Sequence, residues 1–271
     1  LRGLSWSDKL GLSRLDRYLR KDPALPGPRA DLDRMKVRQW LDSLGQSPVI
    51  QRSLFDPIAL GVLNDDPSVA AATGFAQAMR EMFFKDVEGS RLGVSRVGLS
   101  ELYTGAAARF IEGRAGRVLL SKKISAVNEE NGSIAGVSCE SGEIFKARVV
   151  VSTLPPWDLK KLALPAPLGG PWRDLRASPI VSLCLWVDGP LLETQPLIGL
   201  IGTEVHWIFN KSLILRREQK DVQYLSLVIS GAHRHIGFAP KDLYDLAAAD
   251  LARCFPGFQK ARIRRWKVIK E

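Results

Sequence analysis

Residues Arg117 to Trp157 read RVLLSKKISAVNEENGSIAGVSCESGEIFKARVVVSTLPPW, and this stretch decides the fold. Short runs rich in β-branched residues are separated by Asn131-Gly132 and Ser141-Gly142, residue pairs that accept the positive φ of tight turns. The last run, Val149-Val150-Val151, is apolar on consecutive residues, the pattern of a strand covered on both faces. It stops at Pro155-Pro156, because proline has no N–H to give to a ladder. The expectation is a meander with strands over 118–120, 124–127, 134–139 and 144–152, ending in a fully buried strand of a larger α/β domain.

On the N-terminal side the periodicity is helical. Leu4, Leu10, Leu12, Leu15 and Leu19 predict an amphipathic helix with Ser7 and Asp8 at its start. The linker Pro23–Pro28 ends it, and Asp31 opens a second helix carrying Met35, Val37, Trp40 and Leu41. Ser47-Pro48 begins a third, with Val49, Ile50, Leu54, Phe55 and Ile58 mostly on one side, which Asp56-Pro57 should interrupt. Asp65 to Ser68 should open a small-residue helix that leads into Met79, Met82, Phe83 and Phe84. Leu99 to Ile111 reads as a helix capped by Ser100.

Beyond the meander, one helical turn over Asp158–Leu162 and a proline-rich crossing to Pro171 give way to strand patterns at 180–187, 198–201, 205–210 and 222–230. A helix from Ala239 to Ala252 and a strand over 262–269 follow. Short turns between these runs predict an antiparallel sheet. The fold class is therefore mixed α/β and α+β. Three parts are expected: helices over 1–115, the meander and return strand over 116–165, and a sheet with one helix over 166–271.

Composition narrows the function classes. The 271 residues are 45% hydrophobic and carry a formal charge of +10, which favours polyanions or an anionic lipid surface. The basic residues at Arg262–Lys270 alternate with Ile263, Trp266 and Val268, which describes a strand with a polar face; a nucleic-acid partner is not expected. Cys139, Cys184 and Cys254 are scattered, and His206, His233 and His235 have no ligand spacing, so neither a disulfide framework nor a metal site is expected. The localisation expected is cytoplasmic, peripheral to the inner membrane. No GxSxG, HExxH or Walker loop occurs. The chain begins on Leu1 and ends in a β-patterned run, so an internal portion of a longer protein is expected.

Here the motifs carry a resemblance. GRVLLSKKISAV and GVSCESGEIFKARVVVSTLPPW resemble the return segment of the flavin-dependent amine oxidase and phytoene desaturase superfamily. VGLSELYTGAAARFIEGRAGRV, PIVSLCLWVDGPLL and HWIFNK are similar to one branch, the squalene-associated FAD-dependent desaturases, also called hydroxysqualene dehydroxylases. The likeness covers about Trp40 to Glu271. It departs at both ends, with no GxGxxG to hold the FAD pyrophosphate and no closing flavin-contacting segment.

The resemblance implies a partial FAD-binding domain interleaved with a substrate domain, FAD as cofactor, and a long-chain isoprenoid as substrate. It implies an adenine contact through the backbone of Ile124. Thr153, Leu154 and Pro155 would lie where the returning strand passes the cofactor. Phe55, Met79, Met82, Phe83, Trp186, Trp207 and Phe209 would wall an apolar substrate pocket. No catalytic residue is assigned; the proton donors weighed are water, the missing terminal segments, or a group such as Asp56 or His206. A carotenoid-type desaturase and a non-catalytic lipid-binding domain are the alternatives.

Overall fold

The computed structural model describes residues 5–21, 30–85, 88–165, 174–216 and 221–271. Leu4, the linker Pro23–Pro28, the side chain of Phe84 and Pro171 lie outside what is described. Two compact units form, one from the chain up to Val97 together with Ser178 onward, the other from Gly98 to Ala177. The helix after Ser100 thus groups with the meander, whereas the sequence reading divided the chain at 115/116.

The first unit contains a helical half. Helix α1 (Trp6–Lys21) is capped by Ser5 rather than Ser7. Asp8 N donates to Ser5 Oγ at 3.2 Å and Ser5 N donates to Asp8 Oδ2 at 2.8 Å, a reciprocal pair that satisfies orphan helix donors. The single helix expected from Asp31 is two, α2 (Ala30–Arg34) and α3 (Val37–Ser43). Between them the chain turns extended: Val37 N donates to Ala70 O and Ala72 N to Met35 O, at 3.0 and 2.9 Å.

The expected interruption at Asp56-Pro57 does not occur. Helix α4 (Pro48–Ile50) runs through a π turn (Gln51–Phe55) into α5 (Asp56–Leu63). The wider turn absorbs the missing proline donor and its clash with the preceding turn. Asp65–Ser68 does not start a helix either. Asp66 Oδ1 accepts from Ser68 N at 2.7 Å and from its hydroxyl at 2.6 Å, a local closure that competes with helix formation. Helix α6 (Ala72–Arg80) begins four residues later, and its small residues let Trp40, Phe55 and Phe75 meet edge to face in a sealed core.

Gly98 to Ala177 opens with a π turn over Ser100–Thr104, and Gly98 O accepts from the N–H groups of Glu101 and Leu102. Ser100 therefore lies inside the turn and is not its cap. Helix α7 (Gly105–Glu112) follows with no buried residue. Strands β1 (Ile124–Glu130) and β2 (Ser133–Cys139) join at Asn131 and Gly132, whose φ values of 52° and 75° suit the two-residue hairpin. Strand β3 (Ile144–Lys146) completes an antiparallel sheet of order β1-β2-β3. Gly136 sits so close to β3 that a Cβ there would meet Phe145 O at 2.1 Å.

One expected strand is absent and another is cut short. Residues 118–120 run without a ladder, and the expected strand 144–152 ends at Lys146. Val149 and Val151 are exposed instead of fully buried, because among the described residues no strand pairs with them. Helix α8 (Pro156–Leu159) then leads to Ala163, which bridges β1 in parallel.

From Ser178 onward the sheet expectation holds. Strands β4 (Val181–Asp188), β5 (Leu197–Gly199), β6 (Trp207–Asn210), β7 (Val222–Ile229) and β8 (Ile263–Lys270) pair antiparallel in the order β5-β6-β7-β4-β8. Helix α9 (Lys211–Ile214) follows β6, and α10 (Pro240–Cys254) closes one sheet face. Leu183, Leu185, Val187, Leu225 and Leu227 alternate onto that face and bury against Leu243, Ala247 and Leu251. Each such side chain contributes roughly 1.5–3 kcal/mol by leaving water.

Candidate cofactor cleft and substrate face

In the meander unit a cleft of about 590 Å³ is lined by Ile124, Val127, Val137, Val151, Thr153 and Leu154, among others. Three of the four residues expected near a cofactor therefore meet in one place. The fourth, Pro155, is the N-cap of α8, and its carbonyl accepts from Asp158 N and Leu159 N at 3.0 Å. It thus fixes where Leu154 and Thr153 leave the cleft. A register shift between Ile124 and Ala126 marks a bulge where β1 meets the cleft, and bulges re-aim side chains and backbone groups. Beyond it, Ser125 O and Val127 N are taken by Ala163 at 3.1 and 2.9 Å.

Lysines stand at the mouth, but each is already paired: Lys122 with Glu143, Lys123 with Glu140 at 2.6 Å, and Lys161 with Asp158 at 2.7 Å. Glu143 raises the pKa of Lys122 above its ordinary value. The cleft offers apolar walls and backbone groups, which suit a flat heterocycle. Its cations are not free for a pyrophosphate.

The second arrangement lies on the five-stranded sheet, on the face turned away from α10. Register places Trp207 beside Val228 and Ser182, Phe209 beside Ser226 and Cys184, and Trp186 beside Tyr224. Three of the expected substrate-wall residues, Trp186, Trp207 and Phe209, thus share one face. Trp207 lies over two glycines; a Cβ on Gly61 would meet its ring at 3.6 Å and one on Gly199 at 3.2 Å. Its Nε1 is buried with no partner. Lys211 Nζ lies 5.5 Å from the centroid of Phe209.

Trp186 stacks on Tyr224 with centroids 4.8 Å apart and planes 1° from parallel, and the Arg265 guanidinium lies 5.2 Å from the Trp186 ring. The Tyr224 hydroxyl is 3.4 Å from Cys184 Sγ. Burial first, and then the Cys184 contact, push the phenol up to about 12, so it keeps its proton at neutral pH. The sequence reading missed Tyr224, Cys184, Gly61 and Gly199. Alternation within β7 puts Tyr224 on a face, but only the register says that this face is the one holding Trp186.

The other expected wall residues are elsewhere. Phe55 and Met79 are enclosed in the helical core. Met82 and Phe83 sit on a π turn (Glu81–Lys85), Met82 half-buried and Phe83 exposed. Of the two acids weighed, Asp56 is held by Arg38 at 3.1 Å; burial raises its pKa and Arg38 opposes the rise. His206 Nδ1 accepts from Ser230 N at 3.0 Å, and burial lowers its pKa. Asp56 thus ties α5 to α3, and His206 holds the backbone just after β7. Among the described residues no group of three or more His, Cys, Asp or Glu is placed to hold a metal ion, and no helix is long and apolar enough to cross a membrane.

The family model described as flavin containing amine oxidoreductase matches residues 1–270. Hydroxysqualene dehydroxylase from Sinorhizobium fredii is 25% identical over 224 residues, covering 82% of this chain and 49% of that protein. An oxidoreductase from Methanosarcina mazei superposes with a TM-score of 0.72 at 16% identity, covering 99% of this chain and 62% of the other. Cyclohexylamine oxidase from Brevibacterium oxydans gives 0.65 at 16% identity, covering 100% and 62%. The chain spans about half the length of the curated relative it matches, 49%. The fold is that of these oxidoreductases.

Proposed function

Because the chain belongs to the flavin containing amine oxidoreductase family, we propose that it forms the middle of an FAD enzyme that removes the allylic hydroxyl of hydroxysqualene to give squalene in hopanoid biosynthesis. The observation that carries the substrate reading is the aromatic face of Trp186, Trp207 and Phe209 on the sheet, supported by the similarity to hydroxysqualene dehydroxylase. Such a face suits a long hydrocarbon.

The chain's own residues divide the work. In the meander cleft Ile124, Val127 and Leu154 would hold the adenine end of FAD between apolar walls, with Thr153 at the passing edge. The paired lysines there leave the pyrophosphate to be held by other residues. When bound, the reduced flavin supplies hydride. On the sheet the aromatic rings displace water from the polyene, which protects the allylic cation from solvent capture. The carbon–oxygen bond breaks with its electron pair on oxygen, and Tyr224 Oη, the hydroxyl on this face, donates the proton that releases water and is reprotonated from solvent. Peripheral contact with an anionic membrane would bring the C30 substrate within reach, at about 1 kcal/mol for each well-placed basic residue.

The test is the protein of the whole reading frame, reduced and given hydroxysqualene. Squalene is the expected product; its absence overturns the assignment, and a more unsaturated polyene from an oxidised enzyme would make it a desaturase. Tyr224→Phe should lower kcat by about 100-fold with little change in KM. An unchanged kcat removes the tyrosine from the mechanism.

A further inference from the structure

The membrane contact proposed above can be located. In the first unit a cleft of about 570 Å³ is lined by Leu92, Val94, Arg96, Pro196, Leu213 and Arg216, among others. Its rim is open and carries exposed aliphatics, with Leu92 71% exposed and Val94 and Leu213 also turned to solvent. Among the described lining residues the charged ones are Arg96 and Arg216. The neighbouring Glu88 is committed to Arg91 at 2.9 Å. Arg216 follows α9 with φ of 50°, a left-handed conformation that residues bearing a β-carbon rarely hold. The buried Ile214 anchors the base of the same segment.

Exposed aliphatic side chains beside guanidinium groups are the composition of an interfacial lipid contact. The apolar groups enter the acyl boundary while the arginines stay at the phosphates. We infer that this cleft, framed by residues 92–96 and 213–216, is the surface by which the protein docks on an anionic lipid bilayer. The inference rests on the proposed membrane contact and assigns it a place. The committed occupant is the bilayer surface, because among the described lining residues solvent-facing aliphatics stand beside two arginines.

The experiment uses the 271-residue chain with vesicles of equal parts phosphatidylcholine and phosphatidylglycerol, and with pure phosphatidylcholine. The wild type should bind the anionic vesicles and weaken as salt is raised. Arg96→Glu with Arg216→Glu should reduce that binding by about 10-fold or more. Leu92→Ser with Val94→Ser should reduce it by about 10-fold on both vesicle types. Val149→Ser with Val151→Ser, in the other unit, should leave it unchanged. No binding by the wild type overturns the membrane reading itself. Binding that survives both cleft variants, or that is lost with the Val149 and Val151 pair, overturns the location and leaves the membrane reading standing. Circular dichroism confirms that the exposed substitutions leave the fold intact.

Discussion

Two valine-rich runs meet opposite fates. In VSLCLWVD, Val181 and Val187 are 1% and 0% exposed, whereas in the run after β3, Val149 and Val151 are 77% and 83% exposed. Local propensity does not separate them, since β-branched residues favour strands in both. The difference lies in partners. Strand β4 has β7 on one side, β8 on the other and α10 across its face, while among the described residues nothing pairs with Val149–Val151. The unit containing β4 has two sealed apolar cores; the meander unit exposes Leu120, Ile144, Phe110 and Trp157 in addition to the valines. A strand is therefore a property of its neighbours as much as of its residues.

This contrast can be broken or sharpened by substitution. The largest expected effect is in the helical core. Phe75→Ala removes a ring that meets both Trp40 and Phe55 edge to face and should cost about 3–5 kcal/mol in urea denaturation. A cost as small as that of an exposed residue would mean the core is not sealed. Asp250→Ala comes next. Its carboxylate is buried and accepts from Glu204 N at 2.8 Å and Val205 N at 2.9 Å, so its loss should cost about 1–3 kcal/mol. Asp250→Asn, which keeps one acceptor oxygen, should recover part of it.

A smaller effect is expected from pH. Burial puts the folded pKa of His206 below its ordinary value of 6.5, so the unfolded chain takes up the proton first as pH falls. The stability due to neutral His206 is then complete above that ordinary value and is lost as pH drops below it. His206→Gln should flatten the decline in this window; an unchanged slope would assign it to other groups. Smallest of all, Val151→Ser should change stability by less than about 0.5 kcal/mol. If it costs as much as Phe75→Ala, the run is covered in solution and the contrast fails. Isolated from further segments, the chain should also purify without flavin, and a yellow chromophore would show that the cleft suffices.

The sheet from Ser178 onward was legible because each strand alternates and each turn is short, so local pattern and final pairing agree. Helix boundaries were less so. Ser7 carries the right hydroxyl for a cap, but Ser5 stands three residues before Asp8 and closes the reciprocal pair. Pro57 should have stopped a helix, and the π turn before it removed the conflict. The meeting of Ile124 with Thr153 and Leu154 came from resemblance; no periodicity links residues so far apart. Phe55, apolar and on a helix like any pocket wall, is packed into the core by Phe75.

By itself the sequence determined the alternation that puts Trp207 and Phe209 on one side of a strand, the Asn131-Gly132 hairpin and the mixed fold class, because each depends on residues a few positions apart. Tertiary structure alone decided that Trp186 and Tyr224 stack on that same face, that Gly199 makes room for Trp207, and that among the described residues nothing pairs with Val149–Val151. Those outcomes depend on register and on which neighbours arrive, and a strand's pattern specifies a face without specifying what will meet it.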